Sequence, residues 1–185
     1  MFRLLTISTL CTSAREGRPV SAFGRAYESI LRGLVNDLLA TIRRIPDETL
    51  NTWKPAAARN DSHEMNTFAA IAVHTVSSGE FWILHAVGGE PTNRNRDAEF
   101  VATTTFVAIE MRFDQWLDGV HDLVASITDA DLDRELTTGQ DQDRNWRAGE
   151  ALLHAIDHTA LHLGHLQVQR QLWDFETGSG ADRKA

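Results

Sequence analysis

At 185 residues, 42% hydrophobic and 24% charged, the chain has the length and composition of one soluble domain with a substantial core. A net charge of −8 and a pI near 5.4 weigh against non-specific nucleic-acid binding, which needs a basic face to displace counterions from phosphates. The single cysteine, Cys11, excludes an intrachain disulfide and a cysteine-held zinc. No run approaches the roughly 20 apolar residues of a bilayer span, so the expectation is a cytoplasmic protein that engages neither membrane nor nucleic acid.

In chain order, residues 1–21 read as a flexible extension. Arg3 precedes Leu4, Leu5, Ile7 and Leu10, but Thr6, Ser8 and Thr9 break that run and no clean small-residue cleavage site follows. A bundle domain is expected over residues 22–175. Its first helix runs from about Ala22 to Ile45, where Tyr27, Ile30, Leu31, Leu34, Leu38, Ile42 and Ile45 recur at spacings of three and four and Pro46 ends the run. The second is expected from about Ser62 to Val87, capped by Asp61 or Ser62 and stopped by Gly88-Gly89. The third runs from about Ala98 to Ile127, with a heptad stripe of Phe106, Ile109, Phe113, Trp116, Val120, Leu123 and Ile127. The fourth runs from about Trp146 to Asp174, with His154, His158, Leu161, His165, Val168 and Leu172 on one face. Residues 176–185, rich in Gly, Ser and charge, are expected to be a disordered tail. No alternating strand pattern is present. The fold class is therefore all-α, a four-helix bundle of up-down type with short extra turns between helices.

Those turns echo one another. Ile45-Pro46-Asp47-Glu48-Thr49-Leu50 follows the first helix and Ile127-Thr128-Asp129-Ala130-Asp131-Leu132 the third, each with an Asp that can start a turn returning a Leu to the bundle end. His74 and His158 follow the two Ile residues at similar separations, so the second and fourth helices are expected to carry histidines at matching heights.

Chemistry concentrates in Leu153-His154-Ala155-Ile156-Asp157-His158-Thr159-Ala160-Leu161-His162-Leu163-Gly164-His165. Residues four apart lie one turn apart on the same side of a helix, so His158 and His162 can direct nitrogens at one shared ion. Clustered imidazoles would otherwise lose water and repel each other when protonated, and a metal removes both difficulties by taking the lone pairs of neutral rings. A third ligand must come from another helix. His63 and His85 lie near helix ends, His121 borders the third helix's apolar stripe, and His74 interrupts the apolar run Ala69-Ala70-Ile71-Ala72-Val73 before Thr75-Val76. His74 is the first choice and His121 the second. Three nitrogens would leave a coordination position open for water or substrate, as catalytic sites do. Among carboxylates, Asp157, Glu150 and Glu80 are the nearest acid–base candidates, and Trp82, Trp116 and Trp173 could line a pocket. No nucleophile elbow, P-loop or dinucleotide fingerprint is present.

His74 with Phe81-Trp82 after it, the closing His158-x-x-x-His162-x-Gly164, and the run through Gln167, Arg170, Gln171 and Leu172 resemble the DinB/YfiT-like superfamily of metal-binding four-helix bundles over roughly Ala22 to Trp173. The resemblance implies a metal triad of His74, His158 and His162, a divalent transition ion (zinc, nickel, iron or manganese) and a homodimer. The chain departs from the family at Leu163 and His165, where Arg and Gln are common, which leaves His165 open as a fourth ligand, a neighbour of a ligand or a substrate contact. The implied function is that of a metal-dependent enzyme, a thiol (S-)transferase or a related hydrolase, acting on a small-molecule thiol or electrophile. The alternative is a non-catalytic metal-binding or stress-response dimer.

Overall fold

The computed structural model describes residues 20–56, 65–137 and 145–179, and these are helical apart from their connections. One isolated antiparallel bridge, Glu135 with Arg147, is the only extended pairing among the described residues. The elements are α1 (Ala22–Ile42), α2 (Asp47–Thr52), α3 (Phe68–Gly79) running directly into a π-helical segment (Glu80–Val87), α4 (Arg96–Glu99), α5 (Phe106–Ser126), α6 (Asp129–Leu132) and α7 (Ala148–Thr177). Four long helical segments thus enclose one core: α1 packs on α7 and α5, and α3 with its π segment packs on α7 and α5. The chain is all-α, as its periodicity requires.

Local chemistry sets the helix ends. The Ser21 hydroxyl accepts from the Gly24 N–H at 2.9 Å to start α1. α1 ends at Ile42, short of the expected Ile45, because Arg44 turns left-handed at φ 69° and Ile45 precedes a proline, which disfavours helix. α3 begins at Phe68, with Thr67 Oγ1 accepting from Ala70 N at 3.1 Å. The expected start near Ser62, its caps and His63 lie outside the described residues, but residues 65–67 are already non-helical. The third long helix likewise starts later than expected, at Phe106 under a Thr105 cap, and residues 96–99 form a separate turn. The break is fixed from α2: Asp47 accepts from Phe106 N at 2.9 Å, while the Asn51 side chain pairs with both Thr104 N and Thr104 O. α7 extends to Thr177 and closes on left-handed Gly178, past the expected end at Asp174 and into the expected tail.

The stripe of α5 faces the core as its spacing predicts, with Ile109, Phe113, Trp116, Val120 and Ile127 buried and Phe106 and Leu123 half-buried against them. That of α1 is buried except for exposed Ile30 and half-buried Leu34, since Val35 and Leu39 take the inner face instead. α7 departs further. Its inner face is Ala151, Leu152, Ala155, Thr159, Leu163, Leu166, Gln169 and Trp173, and Leu161, Val168 and Leu172 face outward. Histidines occupy only an arc between these faces, so the expected stripe mixed two sides of the helix. Tyr27 donates to Leu152 O at 3.0 Å and Arg170 to Thr41 O at 2.8 Å, which ties both ends of α1 to α7.

Gly79 marks where α3 changes character. A Cβ there would lie 2.1 Å from Trp116 Cζ2, so only glycine lets the α5 indole reach the backbone. Beyond it the wider π turns carry Trp82 inward, and Gly88 N bonds to Ile83 O at 2.9 Å. No helix among the described residues is long and apolar enough to cross a membrane.

Candidate metal centre

α3 and α7 lie side by side, and the core they share is mostly apolar but takes in buried Thr75 and Ser78 of α3 and Thr159 and Gln169 of α7; one level carries histidines. There α3 contributes His74 and α7 contributes His158 and His162. One ring nitrogen from each lies within 4.8 Å of the other two, the only such group of three or more potential ligands among the described residues. His158 and His162 face each other through Nε2 atoms 3.2 Å apart. Two nitrogens bound tetrahedrally at about 2.0–2.1 Å from a zinc-like ion would be separated by about 3.3 Å, so the pair already has the spacing of adjacent ligands. The His74 ring centroid is 5.0 Å from those of both His158 and His162.

Protonation also suits an ion. Burial holds the His158 ring far below the usual histidine value, at about 3, and the nearby His162, His74, His154 and Arg94 charges push the same way. Burial, then His74 and His165, takes His162 down to about 4. For His74, burial lowers the value by more than Glu99 raises it. All three rings are therefore neutral near pH 7, with lone pairs available.

A buried charged network orients His74. Its Nδ1 is 2.7 Å from Glu99 Oε2. A carboxylate only accepts, so the proton sits on Nδ1 and the lone pair on Nε2, the arrangement typical of metal-ligating histidines. Arg94 closes the network with Nε to Glu99 Oε1 at 2.6 Å and Nη2 to Oε2 at 3.0 Å. The side chains of Glu99 and Arg94 are only 5% and 7% exposed. Burial pushes the Glu99 carboxyl up, but the bonds from Arg94 and His74 hold it below the ordinary glutamate value. His162 meets His165 through Nδ1 atoms 3.4 Å apart, which places exposed His165 behind a candidate ligand and outside the group of three.

The remaining sequence candidates fall outside the group of three. His121 is on the surface, 3.0 Å from Glu28 Oε2 on the α1–α5 side. The His85 ring bonds to the Glu90 carbonyl beside Phe81. His154 packs between Trp82 and Trp146. Glu80 pairs with Arg112, Glu150 accepts from Arg147 N at the start of α7, and Asp157 is exposed. Trp116 and Trp173 belong to the core. The sequence reading missed Glu99 and Arg94: they lie in the irregular 88–105 connection, where no periodicity singles out an inward-facing residue. Arg94-x-Arg96-x-x-Glu99 is the one local signal, a charged cluster placed to fold over a buried histidine.

A cavity of about 330 Å³ opens beside two of the three rings, lined by His74, His158, Ser78, Trp82, Trp146, His154, Arg94 and Arg96. It leaves space for a small molecule next to any ion held there.

None of the curated proteins compared with the chain matches it. A model of the DinB superfamily, however, matches residues 30–166, a span that runs from within α1 to within α7 and takes in all three clustered histidines, Glu99 and the cavity wall. On that match, which covers well over half of the sequence, the chain belongs to the DinB superfamily.

Proposed function

We propose that the protein is a metal-dependent enzyme in which His74, His158 and His162 hold one divalent transition ion, and that it acts on a small molecule bound in the adjoining cavity, with thiol transfer as the reaction class. The observation that carries this reading is the 3.2 Å Nε2–Nε2 approach of two neutral histidines facing a third whose other nitrogen is fixed by Glu99. An ion held by three neutral imidazoles would supply a Lewis acid with a remaining position, able to lower the pKa of a thiol or a water. The chain's own residues do the rest. Glu99 and Arg94 keep His74 in one tautomer, and Trp82 and Trp146 give the cavity an apolar wall. Supplying zinc, nickel, manganese and iron separately to metal-free protein, with calorimetry, tests the ion. Near one equivalent of one of them is expected, and no uptake of any would overturn the reading. A thiol then added to cobalt-substituted protein should give a new near-ultraviolet thiolate band.

Homodimerisation belongs to the same reading. The outer face of α7 carries Leu153, Leu161, Val168 and Leu172 at spacings that align them, each more than a third exposed. Gly164 lies on that face, and a Cβ there would meet nothing within 4 Å, so a second α7 could approach closely. Light scattering should report twice the chain mass, and Leu161→Glu should halve it. A monomeric wild type would remove this part of the proposal. The open volume against His74 and His158 argues for chemistry over a purely structural ion.

A further inference from the structure

From the cavity beside the three histidines we infer that the small molecule it takes carries a carboxylate, which Arg96 and Arg94 recognise while its flat apolar part lies on Trp82 and Trp146. Charge comes first. Arg94 and Arg96 both line the cavity, and no carboxylate does among the described residues. Glu99 neutralises Arg94 from behind, through Nε and Nη2. Those two bonds use one edge of the guanidinium and leave Nη1 on the other. Nη1 is buried and has no hydrogen-bond partner among the described residues. A buried cationic donor without an acceptor costs the fold its solvation, which a ligand oxygen brought against Nη1 by a shift of the Arg94 side chain would restore. Arg96 is exposed, lies over the Phe100 ring at 5.8 Å, and has no ion-pair partner among the described residues.

Shape and charge balance narrow the class. The Trp82 and Trp146 rings, 4.6 Å apart and tilted 47° to each other, give the cavity two aromatic surfaces against which a planar group can pack. With Arg94 offset by Glu99, the metal-free cavity keeps the single positive charge of Arg96, which in that state matches a monoanionic carboxylate better than a dianionic phosphate held so near Glu99. Arg is the side chain suited to such planar recognition. His74 and His158, on the cavity wall, would then face the part of the molecule that reacts. This identification of the substrate class rests on the enzymatic reading above, whereas the recognition itself needs only the cavity.

Calorimetry on the full chain, metal-free and zinc-loaded, with benzoate, benzamide and phenyl phosphate as probes, tests the inference. Benzoate should bind at least tenfold more tightly than benzamide in both states and, to the metal-free chain, no more weakly than phenyl phosphate. The surface variant Arg96→Gln should lose about tenfold for benzoate with benzamide unchanged, and Arg94→Lys should lose more. Equal binding of benzoate and benzamide, or an Arg96→Gln variant that holds benzoate as the wild type does, overturns the inference. So does benzoate binding seen only with zinc, which would place the carboxylate on the ion. Phenyl phosphate bound to the metal-free chain tenfold more tightly than benzoate overturns the carboxylate class. Zinc stoichiometry on the same samples separates the two readings: benzoate selectivity without zinc uptake keeps the anion site and removes the metal centre, and zinc uptake without selectivity does the reverse.

Discussion

The two long sides of the bundle solve the same burial problem differently. Between α1 and α5 the interior is Leu31, Val35, Leu38, Ile109, Phe113 and Val120, and the polar groups nearby (Glu28, Arg32 and His121) pair on the surface. Between α3 and α7 the interior admits His74, Glu99 and Arg94, almost fully buried and bonded in series. Desolvating three ionisable groups costs several kcal/mol that apolar residues of like size would not cost. The first side is what helices need in order to pack. The second is what packing alone does not explain, and it lies at the histidine cluster.

Substitutions on the two sides should therefore differ in kind. The largest loss of stability is expected from Phe113→Ala, about 4 kcal/mol from a cavity in the apolar half, equal with and without metal in urea unfolding. Next comes Glu99→Ala, about 3 kcal/mol, because Arg94 would be left buried without its counter-charge. It should also weaken metal affinity by about 10–100-fold through loss of the His74 orientation, a change that Phe113→Ala does not share. Equal metal affinity in the two variants would erase the contrast.

A pH effect follows on the polar side. His158 and His162 titrate at about 3 and about 4 in the fold, against 6.5 for the free side chain. The unfolded chain thus takes up protons first as pH falls, so metal-free stability is full above pH 6.5 and declines as pH drops towards 4 and below. Carboxylates held low in the fold, Glu99 and Glu28, add their own decline only below their ordinary value of 4.5. Urea midpoints between pH 7.5 and 5 should fall for the wild type, and His158→Gln should flatten the slope. The smallest effect is expected from His121→Ala, within about 0.5 kcal/mol, because its pair with Glu28 is exposed. A larger loss would mean that the α1–α5 surface carries more than packing.

Legibility in the sequence divides along the same line. Heptad spacing located the buried stripe of α5, and the four-residue step located His158 and His162, because both depend only on helix geometry. His74 was legible as a histidine inside an apolar run. Glu99 and Arg94 were not, since a loop that folds back has no period to read. The π segment was hidden too, as nothing in Phe81-Trp82-Ile83 distinguishes a wider turn from an ordinary one. The face of α7 was misread at Leu161, Val168 and Leu172 because alanines and Thr159 fill its inner side, and small residues carry little hydrophobic signal.

The most direct test of the central claim is elemental analysis of tag-free wild type beside His158→Ala, His74→Ala and His121→Ala after exposure to the preferred ion. The account predicts about one ion per chain in the wild type and in His121→Ala, and loss in the other two together with the metal-dependent part of Tm. Unchanged stoichiometry in His158→Ala, or loss in His121→Ala alone, would contradict it.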